Sequence, residues 1–230
     1  MNAVGIAKVV RGPAGKKKTR TDTGVRYSGR DGRLLRLVGE QCAVSVDQLA
    51  RVIGRSYRTG RWLRDRWKEA GWIESAPLTH NGPSFLWLSP DGIRVAQSPY
   101  RSWRPNVVTI GHIEAVTDVR LLLEQQLQLG EWTCERALAQ GSPWRDQPRP
   151  HLPDGLLKRG REQIAIEVEL TLKSRVRLTA VMTQLAEQHD QVWYFTTPPL
   201  LPTLARLAND ASGRNVAVYP YPAQAGDLLA

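Results

Sequence analysis

Cysteine is scarce in this chain. Cys42 and Cys134 are the only two in 230 residues. No Cys-x-x-Cys pair or Cys/His cluster occurs, which argues against a disulfide framework and a structural zinc site. Two isolated thiols fit a reducing cytoplasm. Long apolar runs are missing as well. Nothing approaches the roughly 18 apolar residues of a membrane helix. The first residues lack the charged-then-apolar order of a signal peptide, so no membrane partner is expected. No P-loop, Rossmann glycine fingerprint or Gly-x-Ser-x-Gly occurs, so the chemistries those motifs serve have no support here. The four histidines, His80, His112, His151 and His189, have no metal-spaced or nucleophile partner in the sequence and read as structural, His151 lying near enough to Asp154 to be watched.

Positive charge is plentiful. The chain holds 32 Lys and Arg against 22 Asp and Glu, a net of +10, which favours a polyanionic partner. The charge is uneven. Residues 1–104 hold 20 basic against 8 acidic residues, a net of +12, and residues 105–230 hold 12 against 14, a net of −2. The first half is therefore expected to hold nucleic acid and the second to do something else.

Residues 1–30 show no hydrophobic period and include Lys16, Lys17 and Lys18. They read as a mobile basic arm. Residues 31–96 follow a helix-helix-helix-hairpin order. Leu34, Leu35, Leu37 and Val38 mark the first helix. Ser45 with Gln48 three residues later forms a capping-box pattern that opens the second. A third helix runs from Ser56 to Ala70, with Gly71 just past its end. Trp72–Pro77 and Phe85–Leu88 read as strands around a turn at His80-Asn81-Gly82-Pro83. Trp62, Trp67 and Trp72 read as core. This order resembles a winged helix-turn-helix, in which the third helix enters the major groove and the hairpin touches the backbone or the minor groove. The expected duplex-DNA contacts are Arg55, Arg58, Arg61, Arg64, Arg66 and Lys68, with His80 on the wing and Lys16, Lys17 and Lys18 on the arm. Arginine suits phosphate and bidentate guanine contacts. Residues 97–106 contain two prolines and no period and read as a linker.

Residues 107–230 change character. The pattern predicts a long helix over 110–129, a strand over 132–138, strands over 152–157 and 164–170, a helix over 173–190, a strand over 191–197, a helix over 202–211 and a strand over 216–219. Val176, Leu178, Val181, Met182 and Leu185 form the apolar set of the 173–190 helix. Asp154 follows Pro153 on one strand. Glu167 and Glu169 are two apart on the next, so they share a face. Three carboxylates converging on a sheet suit a hard divalent cation such as Mg²⁺ or Mn²⁺, the usual equipment for phosphodiester chemistry. Asp154 and Glu167 are the expected ligands, with Glu169 completing the site or orienting water. Lys173 would steady charge on the phosphate. Glu114 or Asp118 on the long helix would serve as outer ligands, and Glu135 is a further candidate. The competing reading makes these carboxylates ion-pair partners of Arg136, Arg149 or Lys173.

The element order, with Pro-Asp on the second strand and Glu-x-Glu on the third, resembles the PD-(D/E)XK nuclease fold. Together with the first half, the chain from about residue 31 to 220 resembles the replication-relaxation family of plasmids and integrative elements. The residues that carry this are His112-Ile-Glu-Ala-Val-Thr-Asp118-Val-Arg120-Leu, Trp132 with Glu135-Arg136, Pro153-Asp154-Gly155, and Ile166-Glu167-Val168-Glu169-Leu170-Thr171 with Lys173-Ser174. The resemblance implies an α+β protein, a winged helix followed by a nuclease-like domain at 107–230, that binds DNA in replication or transfer of a mobile element, with a relaxase or replication initiator as a protein partner. The nuclease pattern has Glu-x-Lys where this chain has Glu169, and Lys173 would supply the cation from a shifted position. Two further readings stay open: an active Mg²⁺- or Mn²⁺-dependent DNA endonuclease, and a transcription regulator whose second half is an inactive homodimerisation module.

Overall fold

A computed structural model of the protein describes residues 25–141, 150–210 and 215–229. Lys16, Lys17, Lys18 and Arg149 lie outside them. The described chain is a mixed α+β structure with two sheets. No helix among the described residues is long and apolar enough to cross a membrane.

The first lobe begins with α1 (Gly29–Glu40), β1 (Val44–Ser45), α2 (Val46–Val52) and α3 (Tyr57–Glu69). Both α1 and α2 start with reciprocal capping boxes, Ser28 with Asp31 and Ser45 with Gln48. Each box satisfies amide groups that a helix start leaves without partners. Gly71 closes α3 with a φ of 74°, a left-handed conformation that a side chain would disfavour. The chain then forms β2 (Ile73–Pro77), β3 (Ser84–Leu88) and α4 (Pro90–Val95). The sheet order is β1-β3-β2, all antiparallel. β1 is too short to leave a periodic signal and was not expected from the sequence. Leu35, Val38, Leu49, Leu63, Trp67 and Leu86 fill the core. Trp62 departs from expectation: it is 57% exposed, because it faces outward from α3 while Leu63 and Trp67 face in.

One buried acid organises this lobe. Asp31 is fully buried. It accepts hydrogen bonds from Arg66 (both at 3.0 Å), Trp67 Nε1 (2.9 Å) and Ser28 (2.9 Å and 2.7 Å). Burial alone would raise its pKa, but these donors prevail and hold it at about 2.

The second lobe opens with α5 (Ile110–Arg120), which continues as a π-helical turn over Leu121–Gln126. It continues through β4 (Glu131–Cys134), α6 (Glu135–Gly141), β5 (Gly155–Arg159), β6 (Glu162–Glu169), α7 (Arg175–Gln188), β7 (Gln191–Thr196), α8 (Leu201–Asp210), β8 (Val216–Pro220) and α9 (Ala225–Leu229). The sheet order is β4-β5-β6-β7-β8. β4, β5 and β6 are antiparallel; β6, β7 and β8 are parallel. α5 packs on one face through Ala115, Val116 and Val119, and α7 and α8 pack on the other around Ala165, Tyr194 and Met182.

Three expectations are corrected here. The strand expected over 132–138 stops at Cys134, which pairs with the first residue of β5, and Glu135 begins α6 instead. Beyond Cys134 the partner strand has ended, so the Ala- and Leu-containing segment turns helical. Lys173 precedes α7 rather than opening it, because Ser174 is the helix cap, its Oγ accepting from the Arg177 amide at 3.3 Å. Val176, expected among the apolar positions of that helix, is 83% exposed.

The segment over 97–106 is packed against both lobes rather than hanging between them. Ser102 Oγ donates to the Leu88 carbonyl at 2.9 Å. Arg136 donates to the carbonyls of Gly39 and Arg101 at 2.6 Å each and lies over the Tyr100 ring at 4.7 Å. α5 also joins the lobes. Ile110 and Ile113 pack with Ala43, Phe85 and Trp87 of the first lobe.

Breaking the Asp31 anchor tests the first lobe. Removing one partner of a buried ion pair strands the other charge. Arg66→Ala is expected to cost about 3 kcal/mol in urea unfolding, whereas Arg58→Ala, on the exposed face, is expected to stay within about 0.5 kcal/mol. Asp31 sits below its ordinary value of 3.8, so its stability contribution is present above about pH 4 and lost as pH falls toward 2. In Arg66→Ala that acid loss should begin at higher pH.

Candidate carboxylate site and nucleic-acid face

The acidic site forms where β5 begins and β6 ends. Gly155, the first residue of β5, lies under the Trp132 ring so closely that any Cβ would collide with it. Pro153 has no amide to give to a ladder. Asp154, just before the strand, ties to β6 through its side chain: Oδ2 accepts from the Val168 amide at 2.8 Å. That bond fixes the carboxylate against β6. Glu167 and Glu169 leave β6 on one face and are buried, 5% and 3% exposed. This face looks toward α7.

Basic groups stand opposite each acid. His112, from the first turn of α5, has Nε2 2.8 Å from Asp154 Oδ1. His151 Nε2 is 2.9 Å from Glu167 Oε1. His151 is itself held at the backbone by Gln184 of α7, whose Nε2 donates to the His151 carbonyl at 2.9 Å. Lys173 Nζ is 2.8 Å from Glu169 Oε2. Glu135 lies within electrostatic reach of Asp154, His112 and His151. Burial and the Asp154 charge push Glu167 up to about 7, against the pull of His151 and Lys173. Hydrogen bonds to Asp154 and Glu167 raise His112 and His151, outweighing burial. Burial and the Asp154 charge also raise Glu135. The Tyr194 hydroxyl, on β7 beside Glu167, is buried and has no hydrogen-bond partner among the described residues.

Asp154, Glu167, Glu169 and Lys173 thus come together as the spacing implied. Glu114 and Asp118 do not join them. Asp118 faces the first lobe: it pairs with Arg51, accepts from Gln48 Nε2 at 2.8 Å and from the Tyr221 hydroxyl at 2.9 Å. Glu114 lies in the same junction, its carbonyl accepting from Gln48 at 2.8 Å. Burial and the Asp118 charge raise its carboxyl. Helical spacing puts both residues on the junction side of α5, away from Asp154. Two residues were read from the sequence as structural, His112 and His151, and the structure brings both to the site. The proximity of His151 to Asp154 was a weak signal. The pairing of His112 with a residue 42 positions away left none.

The donor set fits Mg²⁺ or Mn²⁺ in kind: carboxylates from β6 and from the residue before β5, crowded enough to raise Glu167. The present arrangement is of pairs. Among the described residues no three His, Cys, Asp or Glu side chains are arranged as a ready coordination set, and a cation would have to take the place of the His112 and His151 contacts.

The candidate nucleic-acid face comprises α3 and the turn before it. Arg55, Arg58, Arg61 and Lys68 are exposed and make no ion pair among the described residues. Tyr57 and Trp62 are exposed beside them. Arg64 is partly buried and pairs with Asp65 at 2.6 Å. Arg66, expected to reach DNA, is committed to Asp31 and to the Arg26 carbonyl; its charge serves the fold. His80 is exposed at the tip between β2 and β3.

In comparisons with known proteins, no family model, no curated protein and no solved structure matches the chain.

Glu167 offers a direct check of the site's electrostatics. In chelator-treated protein its carboxyl ¹³C shift should titrate near pH 7, and His151→Ala should move the midpoint higher by removing a nearby cation. A wild-type midpoint near 4.5 would contradict the burial described. Because the folded value lies above the unfolded one, the Glu167 contribution to stability is complete at low pH and lost as pH rises through about 7.

Proposed function

We propose that this protein is a DNA-binding protein of a mobile genetic element, acting in replication, relaxation or transfer. In this reading the first lobe is a winged helix that docks duplex DNA through α3 and the β2–β3 hairpin. The second lobe, nuclease-like in the PD-(D/E)XK sense, acts on or positions the bound DNA. The observation that carries the reading is the outward face of α3 and the turn before it, where Arg55, Arg58, Arg61 and Lys68 stand free of acidic partners among the described residues. A helix that presents unpaired arginines beside a hairpin suits groove docking with phosphate contacts. The order β1-β3-β2 under three helices supports the winged-helix assignment. The link to mobile elements rests on the sequence resemblance, which also supplies the expectation of a relaxase or replication initiator as partner.

A second reading, a metal-dependent DNA endonuclease, is favoured by the carboxylate cluster at the end of β6. Asp154 and Glu167 would hold the divalent ion, which when bound would supply Lewis-acid activation. Asp154 is preset by the Val168 amide. Lys173 is held by Glu169 within reach of a phosphate at the site, where its charge would offset that developing on oxygen. Until the ion binds, His112 and His151 hold Asp154 and Glu167 in place, and the ion would take over those contacts.

The test is DNA affinity across salt for wild type and the Arg58→Ala/Arg61→Ala double variant. The wild type should bind duplex DNA with a steep salt dependence, and the double variant should lower the log–log slope by about 2, one contact per arginine. Salt-insensitive binding would rule out the docking reading. For the second reading, supercoiled plasmid should be nicked only with Mg²⁺ or Mn²⁺, and Asp154→Ala and Glu167→Ala should abolish nicking. Absence of nicking in the wild type leaves DNA docking without cleavage. A stable dimer whose activity survives Glu167→Ala would instead favour the transcription-regulator alternative.

A further inference from the structure

We propose that the DNA-contacting surface continues past α3 into a second, arginine-lined cleft between the two lobes. This inference rests on the docking reading above. It adds α1, which the sequence marks only as a core helix, to the contact surface.

The cleft encloses about 710 Å³ between α1, the end of α2 and the π-helical turn that follows α5. Arg30, Arg33 and Arg36 line one wall. They recur every third residue of α1, so they form one stripe along its outer face. Leu34, Leu35 and Val38 take the inner face. Arg55, in the turn between α2 and α3, lines the opposite rim. All four arginines are exposed and have no ion pair among the described residues.

Solvated arginines on a helix are common and mean little singly. Two features separate these. They border a concave surface, which focuses potential more than a convex one does. The acids in the cleft are also already engaged. Glu40 and Glu124 both bind the buried Arg120 guanidinium, each at 2.8 Å. Five arginines against two glutamates leave the lining at +3. Among the described residues no acid of the cleft pairs with the α1 stripe.

Arg55 gives the surface continuity. It borders the cleft on one side and directly precedes α3, with Arg58 and Arg61 one and two turns further on. A polyanion lying on α3 and passing Arg55 meets the α1 stripe next. A duplex backbone has the required length and regular charge spacing. The stripe carries no base-reading geometry, so its contacts are to phosphates and independent of sequence.

The experiment uses the full chain with Arg30, Arg33 and Arg36 changed together to Gln, checked by thermal melting. Removing three phosphate contacts should lower the log–log salt slope by about 2.7. Over a fourfold rise in salt, wild type should then lose about 40-fold more affinity than the variant. Preference among DNA sequences should not change. On a duplex trimmed to the α3 footprint, wild type and variant should bind alike. An unchanged salt slope on long DNA would overturn the proposal, as would a variant that loses sequence preference. The Arg58→Ala/Arg61→Ala variant separates the two claims: if it binds as wild type while the α1 variant weakens, α3 docking fails and the cleft stands. If only the α3 variant weakens, the cleft fails and α3 docking stands. Should the triple variant melt early, Arg33→Gln alone, with an expected slope change of about 0.9, decides the matter.

Discussion

The burial of α5 between two sheets is the constraint on which the rest of the molecule depends. Its Ala115, Val116 and Val119 cover the five-stranded sheet, and Ile110 and Ile113 cover Phe85 and Trp87 of the three-stranded one. A helix apolar on both sides must be covered on both sides. The two lobes therefore cannot drift apart without exposing it. Asp118 adds a polar lock at the same junction, receiving Arg51 and Gln48 from the first lobe and Tyr221 from the second. The same helix begins with His112, which reaches Asp154. One element thus sets the angle between the lobes and also shapes the acidic site.

Charge is divided by task. Arg66, Arg120 and Arg136 work inside the structure: Arg66 on Asp31, Arg120 on Glu40 and Glu124, Arg136 on backbone carbonyls of the first lobe and of the connecting segment. Arg55, Arg58 and Arg61 stand outside with no partner among the described residues. A bidentate guanidinium can satisfy a buried carboxylate, and it can equally meet a phosphate. Composition cannot distinguish these uses, because the residue type is the same. Burial of the partner does.

Much of the fold was legible. Ser45 with Gln48 marked the start of α2 because a capping box is local, made by residues three apart. Gly71 marked the end of α3 for the same kind of reason. Glu167 and Glu169 fell on one face because strand alternation allows nothing else. The failures are non-local. Trp62 was read as core because tryptophan usually is, yet its position on α3 faces water. Glu135 left its expected strand because β5 begins only at Gly155. Glu114 and Asp118 were assigned to the acidic site because they are carboxylates on the right helix, but the facing lobe supplied Arg51 and Gln48 instead.

By itself the sequence determined most of the element order, the basic first half, and the shared face of Glu167 and Glu169, since each depends on spacing within a few residues or on summed charge. Only the tertiary structure decided which charges are free. It placed His112 on Asp154 across 42 residues and His151 on Glu167 across 16. It withdrew Arg66 to the buried Asp31 and turned Asp118 toward Arg51. Such pairings depend on the packing of distant elements, and the energy of a charge depends on the partner and burial that packing provides.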